Sequence, residues 1–195
     1  IMDLSDGSAQ PMVDSQLGLS LAFNGAIYNF PELRAELENL GYAFYSDGDT
    51  EVLLKGYHAW GEALLPKLNG MFAFAIWERD SQSLFIARDR LGVKPLYLSR
   101  TGERLRFAST LPALLKGGDI SPMLDPVALN HYLNFHAVVP APRTLIAGIE
   151  KLPPATWLRI GANGQTEQKT WWTLPYGPHA DEANLTLEDW RDRVL

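Results

Sequence analysis

The 195-residue sequence contains no cysteine. Within these residues, that absence excludes disulfide bonds, thiolate metal sites and a cysteine nucleophile. The apolar stretches are short: even the run Met71–Trp77 is far below the roughly 20 residues that a membrane-spanning helix needs. The first residues do not resemble a signal peptide. We therefore predict a cytoplasmic protein with no membrane partner.

Positive charge is also scarce. Lys and Arg number 17 against 23 Asp and Glu, which gives a net charge of −6, and no run of five like charges occurs. Because nucleic-acid-binding proteins usually carry a basic patch, no nucleic-acid partner is predicted. The 4 histidines include no pair at metal-ligand spacing, since His131 and His136 are five residues apart, and no metal site is predicted.

What the sequence does have is typical of a soluble globular domain, with 46% hydrophobic and 21% charged residues. Hydrophobic patterns predict strands in hairpins, with helices before and after them, which indicates an α+β fold with sheets covered by helices. The predicted strands are Leu19–Phe23, Met71–Trp77, Leu84–Ala87, Leu96–Ser99, Leu105–Ala108, Thr156–Ile160 and Gln165–Trp172. Helices are predicted to begin at Asn29, Asp49, Asp125 and Leu187.

Capping and turn residues support two of these predicted elements. Asn29 is the predicted N-cap of the first helix, and Leu33, Leu37 and Leu40 form its apolar stripe. The pair Asn163-Gly164 predicts a type I′ turn in the last hairpin.

Two segments are candidates for chemistry. Asn24-Gly25 is predicted to end the first strand, where the glycine N–H and the asparagine amide could act as two donors to a developing oxyanion. Judged by spacing alone, an ordinary turn is the better explanation. Asp49, at a helix start, could bind a ligand ammonium group, although such a residue is more often only a cap.

A third candidate is the basic segment Arg88–Tyr97, in which Arg88, Arg90 and Lys94 are close together. Arginine suits carboxylate and phosphate groups, so an anion site is one interpretation. A turn braced by ion pairs, with Asp89 between the two arginines, is the favoured alternative.

Taken together, these segments resemble the glutaminase domain of the glutamine-hydrolysing asparagine synthetase family. The resemblance covers residues 1–172. Four motifs occur in the family's order: Phe23–Asn29, Asp49–Leu54, Gly70–Trp77 and Ala87–Tyr97. Residues 3–6, 107–115 and 136–144 are similar to a bacterial subgroup that makes N-acetylglutaminylglutamine amide, a compatible solute. Ordinary asparagine synthesis is the alternative.

The resemblance implies an N-terminal-nucleophile hydrolase with a four-layer αββα sandwich. In this family the first residue, a cysteine, attacks the side-chain amide of glutamine. The released ammonia is used by a C-terminal synthetase domain, which holds ATP and Mg²⁺. The glutaminase domain itself is expected to need no cofactor.

The site residues carried over by this resemblance share one pocket around glutamine. Asn24 and Gly25 are the expected oxyanion donors, and Asp49 is expected to bind the substrate's α-ammonium group. Ile1 and Met2 are expected to offer backbone groups near the substrate carboxylate. Ala26 stands where the family usually has an acidic residue.

The absence of cysteine leads to two alternative interpretations of the chain. If the chain is an N-terminally truncated glutaminase domain, the nucleophile and the carboxylate-binding arginine lie upstream of Ile1, and the chain alone is inactive. Residues 173–195 would then be a linker and the start of a helix leading to the synthetase domain, which is the expected partner. The alternative is a pseudo-amidotransferase that binds glutamine or a partner without hydrolysis. A homodimer is compatible with either.

Overall fold

The computed structural model describes residues 9–174 and 185–194. Two antiparallel sheets form its centre. The large sheet has the strand order β1-β2-β3-β4-β8-β9, and the small sheet has the order β6-β5-β7. The strands are β1 (Met12–Asp14), β2 (Leu19–Ile27), β3 (Gly70–Glu78), β4 (Ser83–Arg88), β5 (Tyr97–Thr101), β6 (Arg104–Ala108), β7 (Ile149–Lys151), β8 (Thr156–Ile160) and β9 (Thr166–Thr170).

Helices lie between and after these strands. They are α1 (Phe30–Asn39), α2 (Asp49–Trp60), α3 (Leu64–Lys67), α4 (Leu111–Lys116), α5 (Pro126–Asn134) and α6 (Leu187–Val194), with a 3₁₀ turn at Gly61–Ala63. Asp125 caps α5 as predicted, because its carboxylate accepts hydrogen bonds from the amides of Val127 and Ala128.

Alternation along the strands decides what each sheet face buries. In β2, Leu19, Leu21 and Phe23 face α1 and α2 and share their apolar core. On the opposite face of the large sheet, Ala73 and Ile86 pack with Leu98 and its neighbours from the small sheet. The two sheets therefore stack face to face.

The outer face of the small sheet is covered by α4. Leu105 and Phe107 of β6 pack toward the large sheet, so the intervening Arg106 points outward. Its side chain lies next to Gly117, directly after α4. The order is thus helices, sheet, sheet, helix, which confirms the α+β, four-layer αββα prediction.

Several boundaries differ from the sequence-based expectations. Strand β2 does not end at Asn24 but continues to Ile27. Leu40 is 60% exposed and lies outside the buried stripe of α1, because that helix ends at Asn39. Strands β1 and β7 and helix α4 were not predicted, since each is only three to six residues long.

The last hairpin has a different turn from the one predicted. Ile160 pairs with Thr166, so five residues connect β8 and β9. Gly164 has a positive φ of 77°, but Asn163 is not among the residues with positive φ. A type I′ turn needs positive φ at both central residues, so the type I′ prediction was wrong. Residues 175–184 of the predicted linker lie outside the described part.

Candidate active site

Asn24 and Gly25 lie inside a strand and not in a turn. They pair with Ala73 and Phe72 of β3. A Cβ atom built on Gly25 would lie 2.2 Å from the carbonyl oxygen of Met71. Glycine is therefore required here by the close approach of the neighbouring strand, and not by a positive φ.

The Gly25 amide points away from β3. Its partner Phe72 directs its own N–H and C=O groups to Asp89 on the other side, at 3.1 Å and 2.8 Å. The Gly25–Phe72 pair is thus a non-hydrogen-bonded pair of the antiparallel ladder. Since β1 pairs only with Leu19–Leu21, the Gly25 N–H faces an edge of β2 that β1 does not cover.

Asp49 reaches the same edge from the first residue of α2. Its Oδ2 accepts a hydrogen bond from the Ile27 amide at 2.9 Å, two residues beyond Gly25. Asp49 is only 3% exposed. Burial raises the pKa of Asp49 above its ordinary value, although the hydrogen bond from the Ile27 amide acts in the opposite direction. A cation next to this carboxylate would stabilise its charged form.

The Asn24 side chain lies on the opposite face of β2 from the helices, by strand alternation. It lines an open cleft of about 260 Å³ between the two sheets. Pro95, Leu96 and Phe107 form much of the apolar wall of this cleft, and Gln10 borders it. Among the described residues, Asp49 is not part of its wall. The structure therefore brings the Gly25 amide and Asp49 to one strand edge, and Asn24 to the adjoining cleft.

The remaining predicted site residues are Ile1 and Met2, and Ala26 stands where the family usually has an acidic residue. Ile1 and Met2 lie outside the described residues. Ala26 is 8% exposed and offers no charged group next to Asp49.

The sequence-based reasoning missed Glu51, which organises the loop before α2. Its carboxylate is fully buried and accepts hydrogen bonds from the Ser46 amide at 2.7 Å and from the Ser46 hydroxyl at 2.6 Å. The Tyr45 amide donates to it at 3.1 Å, and Lys55 forms an ion pair with it one helical turn later. The i, i+4 spacing of Glu51 and Lys55 was the available signal. This network fixes the loop that leads into Asp49.

The segment around Asp89 is a braced turn, but its bracing differs from the favoured interpretation. The Asp89 carboxylate accepts hydrogen bonds from the amides of Phe72, Leu91, Val93 and Lys94, at 2.9–3.1 Å. None of the ion pairs of the described residues joins it to an arginine.

The two arginines of this segment donate to backbone carbonyl groups instead. Arg88 donates to Gly92, Lys94 and Leu152 at 2.5–2.7 Å, and Arg90 donates to Leu68 at 2.6 Å. The expected Arg–Asp pairing was therefore wrong, because carbonyl oxygens satisfy the guanidinium groups and backbone amides satisfy the carboxylate.

Within the described ranges, no three His, Asp or Glu side chains are grouped in a way that could hold a metal ion. The helices of the same ranges are all too short or too polar to cross a bilayer.

Solved structures of known proteins share this fold. The glutamine phosphoribosylpyrophosphate amidotransferase of B. subtilis superimposes with a TM-score of 0.60 at 22% identity, covering 88% of this chain and 34% of that chain. A protein described as a glutamine aminotransferase class-II domain protein, from Silicibacter pomeroyi, gives 0.51 at 16% identity, covering 86% and 72%. The fold is thus that of the N-terminal-nucleophile class II amidotransferases.

Sequence comparison identifies the family. The family model described as glutamine amidotransferase domain matches residues 1–172. The chain therefore belongs to the glutamine amidotransferase domain family. Asparagine synthetase [glutamine-hydrolyzing] 1 of Bacillus subtilis (strain 168) is 38% identical over 195 residues, covering 100% of this chain and 30% of the relative. Asparagine synthetase [glutamine-hydrolyzing] 3 of the same organism is 34% identical over 188 residues, covering 95% and 30%. The chain thus spans about a third of the length of these relatives and corresponds to their glutaminase domains.

Proposed function

We propose that the longer protein containing this chain hydrolyses glutamine to glutamate and ammonia at the edge of β2 that none of the described strands covers. The observation that carries this proposal is that the Gly25 N–H and the Asp49 carboxylate lie on one edge of β2, where Asp49 is hydrogen-bonded to Ile27, two residues beyond Gly25. The amide is a donor for a developing oxyanion, and the carboxylate is a counter-ion for the α-ammonium group of glutamine. Asn24 supplies the second oxyanion donor from the cleft.

The chemistry requires a nucleophile that these 195 residues lack, because they contain no cysteine. In the proposed reaction, a thiolate from outside the chain attacks the amide carbon of glutamine. The C–N bond breaks, the nitrogen takes a proton and leaves as ammonia, and a γ-glutamyl thioester remains. Water then cleaves the thioester to release glutamate and the thiol. The chain alone is therefore expected to be inactive.

The ammonia needs an acceptor, and the curated relatives suggest where it goes. They are named as asparagine synthetases and are about three times as long as this chain. We infer that the remainder of the longer protein uses ATP and Mg²⁺ to activate a carboxylate, which the ammonia then amidates. The side chain of aspartate and the C-terminal carboxylate of N-acetylglutaminylglutamine are the two candidate acceptors.

Glutamate release from glutamine by the full-length protein tests the proposal. With wild-type turnover established, Asn24→Ala should lower kcat about 10²–10³-fold, the usual effect of losing one oxyanion donor. Asn39→Ala, on the exposed end of α1, is the matched control and should leave turnover unchanged. Glutamine binding without hydrolysis by the full-length protein would instead support a non-catalytic pseudo-amidotransferase.

Supplying ATP with either aspartate or N-acetylglutaminylglutamine then identifies the acceptor. The substrate that consumes ATP and gains the amide nitrogen is the acceptor. If neither compound is amidated, the proposed acceptor class is wrong, while the glutaminase assignment still depends on glutamate release alone.

A further inference from the structure

Gln10 lies at the same edge of β2 as Gly25 and Asp49. Its side-chain Oε1 accepts a hydrogen bond from the Phe23 amide at 2.6 Å. The register of β1 places Met12 opposite Leu21, so Gln10 falls opposite Phe23. The Gln10 side chain therefore accepts the hydrogen bond of the Phe23 amide at the point where the backbone pairing of β1 with β2 ends.

Beyond the residues that pair with β1, three N–H groups of β2 point toward this edge, because alternate residues of a strand direct their amides to the same side. The Phe23 amide donates to Gln10, and the Ile27 amide donates to Asp49. The Gly25 amide lies between them, and no described residue accepts a hydrogen bond from it. Two side-chain acceptors therefore flank the donor assigned to the oxyanion.

This arrangement has a physical advantage over a longer strand. If β1 continued past Gln10 in the same register, its backbone would pair with the Gly25 amide and occupy it. A single side-chain acceptor holds Phe23 without itself occupying the next outward amide.

We propose that Gln10 is a positioning residue for the Gly25 amide, and this inference depends on the proposed glutaminase function. Gln10 holds β2 on one side of Gly25, and Asp49 holds it on the other. Together they keep the Gly25 N–H aimed at the position where negative charge develops on the substrate oxygen. Such preorganisation favours the transition state more than the bound substrate, so its loss should lower kcat and leave KM nearly unchanged.

Gln10→Met is the informative variant, because methionine keeps the length and flexibility of the side chain but offers only a weak acceptor. In the full-length protein we expect kcat for glutamine hydrolysis to fall about tenfold, less than the 10²–10³-fold effect of removing a donor outright. KM for glutamine should stay within about twofold. Gln165→Met, in the exposed loop between β8 and β9, is the matched control and should change neither parameter.

If Gln10 is a positioning residue, amide hydrogen exchange in the same variant should accelerate at Phe23 and stay unchanged at Ile27, with the midpoint of thermal unfolding preserved. A merely structural role would instead lower the midpoint of thermal unfolding. An unchanged kcat, or a fall in kcat that only follows loss of folded protein, would overturn the positioning role. A wild-type protein that hydrolyses no glutamine would overturn the proposed function itself, and the role of Gln10 with it.

Discussion

Asp49 Oδ2 accepts a hydrogen bond from the Ile27 amide at 2.9 Å, although the two residues are 22 positions apart in the chain. The bond ties the first turn of α2 to the end of β2. The carboxylate therefore serves the fold, and in the proposed function it also binds the α-ammonium group of the substrate. Asp49 thus combines a structural contact with the charge that the proposed substrate needs.

The first prediction is that Asp49→Asn separates these two roles. Asparagine keeps an oxygen that can accept from the Ile27 amide but removes a buried charge. We expect the midpoint of thermal unfolding of this chain at neutral pH to rise by about 2–4 °C, which corresponds to about 1 kcal/mol. In the full-length protein, KM for glutamine should rise at least tenfold, as expected for loss of an ion pair in a partly desolvated site. Asp47→Asn, at a side chain that is 99% exposed, is the control and should change neither.

The pH dependence of the same variant has a defined sign. Burial raises the pKa of Asp49 above its ordinary value of 3.8, so the folded protein binds this proton more tightly than the unfolded chain does. The contribution of Asp49 to stability is therefore full below 3.8 and declines as pH rises through the raised value. The stability advantage of Asp49→Asn should disappear on acidification toward pH 4. An advantage that stays constant across this range would contradict the burial of a charged carboxylate.

The second prediction concerns the close approach of β3 to Gly25. An alanine Cβ at this position would lie 2.2 Å from the Met71 carbonyl oxygen and 2.8 Å from the Phe72 Cα. Both atoms belong to the backbone, so relief requires strand separation. Gly25→Ala should lower the free energy of unfolding by about 3 kcal/mol or more, at the upper end of overpacking effects. Gly161→Ala, which would meet the Asn163 side chain at 3.3 Å and the Gln165 carbonyl oxygen at an ordinary 4.0 Å, should cost less than about 1 kcal/mol.

The pair Asn24-Gly25 shows why local signals were insufficient. An Asn-Gly pair is a strong turn signal, yet β2 continues through it because β3 pairs with it on one side. The hydrophobic run of β3 could be identified from the sequence, but the register of β3 against β2 could not. The opposite holds for Asp49: its position at a helix start was predicted correctly, whereas its partner Ile27 could be identified only in the folded chain.

The Asp89 turn shows that the partners of charged residues also depend on the folded chain. The spacing Arg88-Asp89-Arg90 favours ion pairs along the chain, because only neighbouring side chains are visible in the sequence. Folding instead brings the amide of Phe72 and the carbonyl of Leu152 to these groups, from 17 and 64 residues away. Distant backbone groups of this kind leave no trace in local spacing.

The third prediction tests the carboxylate of this turn. Asp89 accepts hydrogen bonds from four backbone amides and is 2% exposed. In Asp89→Asn, one oxygen becomes an amide group that can only donate, so it faces N–H groups without an acceptor. We expect a loss of about 3 kcal/mol in the free energy of unfolding, measured by urea denaturation. Asp80→Asn, at a side chain that is 80% exposed, should lose less than about 0.5 kcal/mol.

The fourth prediction concerns the buried pair of Glu51 and Lys55, whose side chains are 0% and 7% exposed. Lys55→Met removes the only cation paired with Glu51 among the described residues and should cost about 3–5 kcal/mol, since it leaves a buried charge uncompensated. Adding Glu51→Gln neutralises that charge while keeping an acceptor for the Ser46 amide, so the double variant should be more stable than Lys55→Met alone. The matched control is Lys67→Met, which breaks the exposed pair of Lys67 with Glu36 and should cost at most about 1 kcal/mol. If the double variant were less stable than Lys55→Met, the loop before Asp49 would depend on the negative charge of Glu51 itself, and desolvation would not dominate the network.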